Sequence, residues 1–210
     1  MTHEKDVFIN CPFDARYRPL LRGLVFAVHD CGFIARSASE VEDSGEVRVQ
    51  KIIRIIGESP YAVHDISRVE LDSKTSLPRF NMPLELGLFL GARAFGDATN
   101  QLKRCVVLDD DQFRYQSFCS DIAGQDIRAH AGKVAAAIEI VRNWLSTTPP
   151  AQGTVIPSGS VIAGRYKQFR IALPGGCEKL QLNSRRLTFG DDVTLVVGWL
   201  KENPWKPAAA

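Results

Sequence analysis

Short apolar runs alternate with segments of helical periodicity over the first 146 residues, and this alternation limits the fold more than any other feature. Four runs have the length and character of buried strands, at residues 7–10, 33–35, 61–66 and 104–108. A short fifth strand is expected around Ile127. Strands that alternate with helices form a parallel sheet with both faces covered. The sequence therefore predicts an α/β fold with a doubly wound parallel sheet of about five strands.

The helix expected between the second and third strands illustrates how the helical segments were assigned. Its apolar residues should face the sheet, and they are Val49, Ile52, Ile53 and Ile56. Its basic residues should face away, and they are Arg48, Lys51 and Arg54. This pattern predicts an amphipathic helix lying against one face of the sheet.

The alternation ends at a proline-rich stretch, residues 149–153. We therefore predict an α/β domain over residues 1–148, a linker over 149–160 and a small C-terminal helical extension over 161–210. One helix of the extension is expected to stop at Pro174, and a second to begin near Thr188 or Asp191.

Composition excludes several classes of protein. The chain has 26 basic and 24 acidic residues, a net charge of +2, which argues against direct nucleic-acid binding as its main task. Five cysteines without a C-x-x-C pair indicate reduced thiols, and with the histidines they show no metal-ligand spacing. The first residues do not resemble a secretory signal, and no apolar run has the length of a membrane span. We expect a cytoplasmic protein without a bound metal.

Polar side chains follow the predicted strands at the points where they end. They are Asn10 and Asp14, Arg36, Asp65 and Arg68, and the run Asp109, Asp110 and Asp111. The carboxyl ends of parallel strands meet at one edge of the sheet, where doubly wound folds bind their ligands. Neither G-x-G-x-x-G nor the P-loop motif is present, so the sequence does not indicate a dinucleotide redox enzyme or a P-loop NTPase.

The segment 79–92 predicts a largely buried helix that carries one carboxylate, Glu85. Asn81 is a plausible cap, and Pro83 suits a first turn because its missing N–H is not needed there. Glu85 is expected in that first turn, where the helix dipole would keep it ionised in apolar surroundings. A carboxylate in that position suits a nucleophile or a group that orients a hydroxyl. The alternative is that Glu85 only caps its own helix.

Other polar residues near the strand ends have simpler interpretations. His64 lies within an apolar run and is expected to be a core histidine with its hydrogen bonds satisfied. The three aspartates 109–111 suggest either a magnesium site or, more simply, a solvated turn. Cys11 lies close to the expected cleft, but no paired histidine is visible. Any of the arginines could instead pair with a neighbouring carboxylate on the surface.

Four segments of the chain, taken together, resemble a group of bacterial proteins. They are 8–14, 43–52 with its Asp-x-Gly-x-x-Arg-x-x-Lys-Ile pattern, 64–68 and 80–87 with its Pro-x-Glu-Leu-Gly. The group is related to the nucleoside 2-deoxyribosyltransferases and, more distantly, to Toll/interleukin-1 receptor (TIR) domains. The resemblance covers roughly residues 6–146 and implies a flavodoxin-like fold. The transferases usually carry an Asp and a Gly-Thr pair before their Glu, where this chain has residues 80–83.

The resemblance implies an enzyme that cleaves an N-glycosidic bond, as a glycohydrolase or a transferase. It also implies a role for such an enzyme as an effector of bacterial defence. Glu85 would be the catalytic carboxylate, acting as nucleophile or stabilising the sugar cation, and Asp65 would help to hold the nucleoside. Asn81 is a second candidate for the ribose hydroxyls. The alternative is a non-catalytic TIR-like module that senses a nucleotide or assembles with its own kind.

The remaining candidate residues would bind the rest of the substrate. Asn10 and Asp14 lie at the edge of the sheet where the ligand is expected. The candidates for a phosphate are Arg36, Arg48 and Arg68. The candidates for stacking on the base are Phe13, Tyr17 and Phe80. We expect a nucleotide or nucleoside as ligand, NAD or a nucleotide as substrate rather than cofactor, a homo-oligomer and no membrane partner.

Overall fold

Residues 3–71 and 76–205 are described by a computed structural model. The strands are β1 (Asp6–Asn10), β2 (Ile34–Arg36), β3 (Tyr61–Asp65), β4 (Arg104–Asp109) and β5 (Arg128–Ala129). The helices are α1 (Arg18–Asp30), α2 (Arg48–Glu58), α3 (Asn81–Phe95), α4 (Ala98–Gln101), α5 (Val134–Leu145), α6 (Gly159–Lys179) and α7 (Phe189–Glu202). The strands form one parallel sheet in the order β2-β1-β3-β4-β5. This is the strand order of flavodoxin-like folds, so the predicted fold class is confirmed.

The two central strands are buried on both faces because helices cover each side of the sheet. Val7 and Ile9 of β1 point into the core formed with α1 and α5, whereas Phe8 points into the core formed with α2 and α3. Neighbouring side chains on a strand alternate between the faces, so an uninterrupted apolar run is what this position requires. Asn10 lies opposite His64, and Asp65 opposite Leu108. The strand ends thus meet at one edge.

Helix α2 faces the sheet with a different set of residues from the one predicted. Its buried side chains are Lys51, Ile52, Ile55 and Ile56. Val49 and Ile53 are exposed, so their predicted inward position was wrong, as was the outward position of Lys51. Lys51 tolerates burial because its ammonium group donates to the carbonyl oxygen of Val41 at 2.6 Å. The buried apolar face of α2 is formed by Ile52, Ile55 and Ile56, at the spacing expected for 3.6 residues per turn.

Helix α3 buries one face instead of most of its surface. The buried side chains are Met82, Glu85, Leu86 and Phe89. Leu84 is 59% exposed, and Leu88 and Leu90 are only half-buried, so the expectation of a largely buried helix was wrong. Nothing in the described chain covers the outer side of this helix, and for that reason its apolar residues remain in contact with solvent.

Helix α6 continues through Pro174 instead of stopping there as predicted. Proline removes one hydrogen bond of the helix and clashes with the preceding turn. Tertiary packing outweighs this cost, because Phe169 before the proline and Cys177 after it are both buried in the main core. Helix α7 begins where expected, with a capping box between Thr188 and Asp191.

The C-terminal helices pack directly against α1. The ring of Phe26 in α1 lies 5.5 Å from Tyr166, 5.4 Å from Phe169 and 5.7 Å from Trp199, measured between ring centroids. Arg22 of α1 also pairs with Asp192 of α7 at 2.7 Å. The extension therefore shares the largest hydrophobic core with the sheet.

Within residues 3–71 and 76–205, no helix combines the length and the apolar character that crossing a bilayer requires.

Candidate functional site

The end of β1 is tied to the start of α3 by Asn10. Its side-chain amide donates to the carbonyl oxygen of Met82 at 2.8 Å and contacts Nδ1 of His64 at 3.0 Å. Burial lowers the pKa of His64 to about 3, so this imidazole is neutral. The burial predicted for His64 is confirmed, but the expectation that its hydrogen bonds are satisfied was wrong for Nε2, which has no partner within the described residues. Asn10 and His64 therefore position α3 and its carboxylate relative to the sheet.

The end of β3 carries a fully buried carboxylate, Asp65. It accepts hydrogen bonds from the hydroxyl of Tyr17, from Nε2 of His130 at 3.0 Å and from the backbone N–H of Ser67 at 2.9 Å. Because Asp65 is fully buried beneath these partners, a ribose hydroxyl could reach it only if a neighbouring side chain moved. Tyr17 is buried as well, so its ring is not free to stack on a base.

His130, which the sequence did not single out, completes this network. The backbone N–H of Gly132 donates to its Nδ1 at 3.0 Å, so Nε2 carries the proton donated to Asp65. Burial lowers the pKa of His130, but the hydrogen bond and charge of Asp65, with the charges of Asp110 and Asp109, raise it more, and the net shift is upward. His130 directly follows β5. It could therefore have been identified from the sequence by the criterion applied to the other strands, a polar residue just after a strand.

The end of β4 holds an ion pair instead of a solvated turn. Asp109 is fully buried and accepts from Nε of Arg114 at 3.1 Å and from the backbone N–H of Asp110 at 2.7 Å. Burial raises the pKa of Asp109, and the Arg114 contacts partly offset this. The expectation of a solvated turn was therefore wrong for Asp109. No described group of three or more His, Cys, Asp or Glu side chains is arranged to hold a metal ion.

Glu85 is buried without a stabilising hydrogen bond. The residue is 6% exposed and makes no hydrogen bond to the rest of the described chain, but neither carboxylate oxygen is fully enclosed, so the end of the side chain keeps contact with solvent. It is the fifth residue of α3, past the first turn, and Phe80 occupies the N-cap position without a side-chain cap bond. The capping interpretation, the first-turn position and the cap at Asn81 were therefore wrong. Burial raises the pKa of Glu85 to about 7, and the positive charge of Arg48 opposes this only in part.

Cys11, directly after β1, is a buried thiol on which several carboxylates of this edge act. Burial raises the pKa of its thiol well above the usual value, and the negative charges of Asp65, Glu85 and Asp14 raise it further. The charges of these three carboxylates therefore all reach the end of β1. The thiol stays protonated there and is unsuited to act as a nucleophile.

The candidate arginines separate into two places. Arg48, at the start of α2, is exposed, and its charge acts on Glu85. Arg36 instead pairs with Asp6, with Glu40 at 2.7 Å and with Glu58 at 3.0 Å. Because Asp6 begins β1 and Glu58 ends α2, this cluster faces the opposite edge of the sheet. The structure thus brings Arg48 to the candidate site and not Arg36.

Two clefts open at the carboxyl edge. One of about 350 Å³ and one of about 180 Å³ share Arg16, Arg68 and Glu70 in their walls. The larger also contains Asp14, and the smaller contains Tyr17 and His130. Glu85 lines neither, although its neighbour in space, Cys11, directly precedes a residue of the larger cleft.

A third cleft, of about 260 Å³, brings the C-terminal extension to the same edge. Phe13 and Asp14 line it together with Thr188 and Phe189 from the start of α7. Phe13 is exposed there, as a base-stacking residue would need to be. Phe80 and Asn81 are exposed at the start of α3 and line none of the three clefts.

Comparison of the chain with protein-family models, with curated proteins and with solved structures found no match. The likeness to nucleoside 2-deoxyribosyltransferases and TIR domains therefore rests on the chain's own residues.

Proposed function

We propose that this protein cleaves an N-glycosidic bond of a nucleotide or of NAD, with Glu85 as the catalytic carboxylate. The observation that carries the proposal is a largely buried carboxylate that makes no hydrogen bond within the described chain, at the edge where doubly wound folds bind ligands. Buried carboxylates in proteins are normally held by hydrogen bonds, as Asp65 is here by three donors. Neither oxygen of Glu85 is among the fully enclosed described atoms that lack a partner, so the carboxylate stays within reach of solvent and of a ligand, as a catalytic group must.

The proposed reaction begins with attack of the ionised Glu85 oxygen on the anomeric carbon of the sugar. The carbon–nitrogen bond to the base breaks, and the base leaves with the electron pair and takes up a proton. Water then hydrolyses the glycosyl ester and restores the carboxylate, or a second base accepts the sugar in a transfer reaction. A poorly solvated carboxylate is a stronger partner for the sugar cation than one that accepts hydrogen bonds.

Release of free base tests this function. Native protein, Glu85→Gln and a control, Glu178→Gln on the exposed surface of α6, would be incubated with NAD, NMN and a set of nucleotides and deoxynucleotides. We expect release from at least one substrate by native protein and the control, and a loss of at least about 1,000-fold in Glu85→Gln. Equal release by all three proteins would contradict the assignment of Glu85.

A second candidate is a non-catalytic TIR-like module that senses a nucleotide or assembles with its own kind. The 6% exposure of Glu85 and its absence from the two clefts favour this alternative. It predicts that native protein and Glu85→Gln bind nucleotide equally well and that neither releases base. The same incubation, with binding measured by calorimetry, separates the two candidates.

A further inference from the structure

The larger cleft at the carboxyl edge, about 350 Å³ in volume, has a distinctive set of charges. Five charged residues line it, namely Asp14, Arg16, Arg68, Glu70 and Arg79. They come from three separate parts of the chain: the β1–α1 connection, the segment after β3 and the segment before α3. The cleft therefore forms only in the folded protein, and we call it the arginine cleft.

The charges within the arginine cleft do not cancel. Arg68 lies between two carboxylates, with Asp14 and Glu70 each 3.3 Å away. Arg16 and Arg79 form no ion pair with any residue in the described ranges, and both are exposed. The two carboxylates of the cleft, Asp14 and Glu70, both pair with Arg68, so two further guanidinium groups line it without an ion-pair partner in the described chain. Guanidinium groups suit a phosphate, because their N–H donors match its oxygens in pairs.

The position of the arginine cleft relates it to Glu85. Arg79 stands two residues before α3 and six before Glu85. Pro12, which also lines the cleft, directly follows Cys11, a thiol whose pKa is raised by the charges of Asp65, Glu85 and Asp14. A ligand held in the cleft by an anionic group therefore lies beside Asp14, at the edge of the sheet where α3 and Glu85 are tied to β1 through Asn10 and Met82.

We propose that Arg16 and Arg79 bind a phosphate group of the substrate, so that the protein selects nucleotides over nucleosides. This proposal rests on the function proposed above, since it names the class of substrate that reaches Glu85. Neither arginine was among the phosphate candidates predicted from the sequence. Arg68 has a structural role instead, because its ion pairs with two carboxylates fix its side chain in the wall of the cleft.

Calorimetric binding of matched pairs tests the proposal: adenosine and AMP, thymidine and dTMP, and nicotinamide riboside and NMN, with inorganic phosphate as a separate probe. Native protein would be compared with Arg16→Gln, Arg79→Gln, their lysine counterparts and a control, Arg185→Gln, which lies in the exposed connection between α6 and α7. Thermal unfolding would verify that each variant is folded. Both arginines are exposed, so little change in stability is expected.

The expected result is that at least one 5′-monophosphate binds ten-fold or more tightly than its nucleoside. Each glutamine variant should lose about ten-fold in affinity for the monophosphate and little for the nucleoside, since a hydrogen bond to a charged group contributes about 1.5 kcal/mol or more. The lysine variants should keep part of the preference, and Arg185→Gln all of it.

Several results would overturn the proposal. These are equal affinity for nucleoside and monophosphate, no binding of any probe, or a preference that survives both glutamine variants. Arginine-dependent binding of inorganic phosphate without a preference for monophosphates would overturn it too, in favour of a site for free anions. Binding does not require turnover. If the protein selects monophosphates but releases no base, the binding proposal is supported and the catalytic proposal is contradicted.

Discussion

Glu85 shows at the scale of one residue how function and stability compete. A carboxyl group whose pKa rises from 4.5 to about 7 on folding holds its proton more tightly in the folded state. Stability from this group is therefore fully present below pH 4.5 and is lost as the pH rises through 7. The charge is needed for the proposed attack on the sugar, and the fold opposes that charge.

Glu85→Gln should therefore stabilise the protein at alkaline pH. The free energy of unfolding should rise more at pH 8 than at pH 5, and the two gains should differ by an amount on the order of 3 kcal/mol. Each unit of pKa shift corresponds to about 1.4 kcal/mol. Denaturant unfolding of both proteins at the two pH values measures it. An equal effect at pH 5 and pH 8 would mean that Glu85 is not protonated on folding.

The sequence could predict which residues lie at the site better than it could predict their partners. Asn10, Asp65 and Glu85 follow from their places after an apolar run or at a helix start. The bonds from Tyr17 and His130 to Asp65 join residues 48 and 65 positions apart, and no local pattern encodes them. Arg36 was misplaced for a similar reason, because two of its three carboxylate partners, Asp6 and Glu58, are 30 and 22 positions away.

At the scale of elements, α6 and α7 are part of the main core. Phe169→Ala should lower the stability of the whole chain by about 3 to 5 kcal/mol, because the ring is buried against Phe26, Tyr166 and Trp199. A chain of this size should then unfold about 10 °C lower, in one transition. Differential scanning calorimetry measures this shift.

Ile171→Ala is the matched control for Phe169→Ala. Ile171 lies two residues further along the same helix and is 82% exposed, so its truncation should change stability by less than about 0.5 kcal/mol. If Phe169→Ala instead produced two transitions, with the larger at the native temperature, the C-terminal helices would be an independent unit.

Helices and strands were predictable from the sequence where tertiary packing does not override the local pattern of apolar residues. The uninterrupted apolar runs of β1 and β3 identify central strands, since only a sheet covered on both faces buries such runs. The end of α6 was not predictable, because Pro174 is a strong local signal that packing of Phe169 and Cys177 outweighs. The buried face of α2 differs from the predicted one for a related reason. Lys51 can be buried only because the folded chain provides a carbonyl partner for its ammonium group.

At the scale of the whole molecule, the fold converges three strand ends and the first residues of α2, α3 and α7 on one edge. The arginine cleft and the cleft between Phe13 and α7 both contain Asp14, so they adjoin each other. Under the proposed function, the first of these clefts would take the phosphate of the substrate and the second its base. The contribution of α7 comes from the C-terminal extension, through Thr188 and Phe189.

The pH dependence of kcat/KM for base release tests the central claim most directly. With the ionised Glu85 as nucleophile, kcat/KM should rise about ten-fold per pH unit below the pKa near 7 and level off above it. Arg48→Gln should move the midpoint to higher pH, because the charge of Arg48 lowers the pKa of Glu85. A rate that falls as the pH rises through 7, or a midpoint that Arg48→Gln leaves in place, would contradict the assignment of Glu85 as the attacking carboxylate.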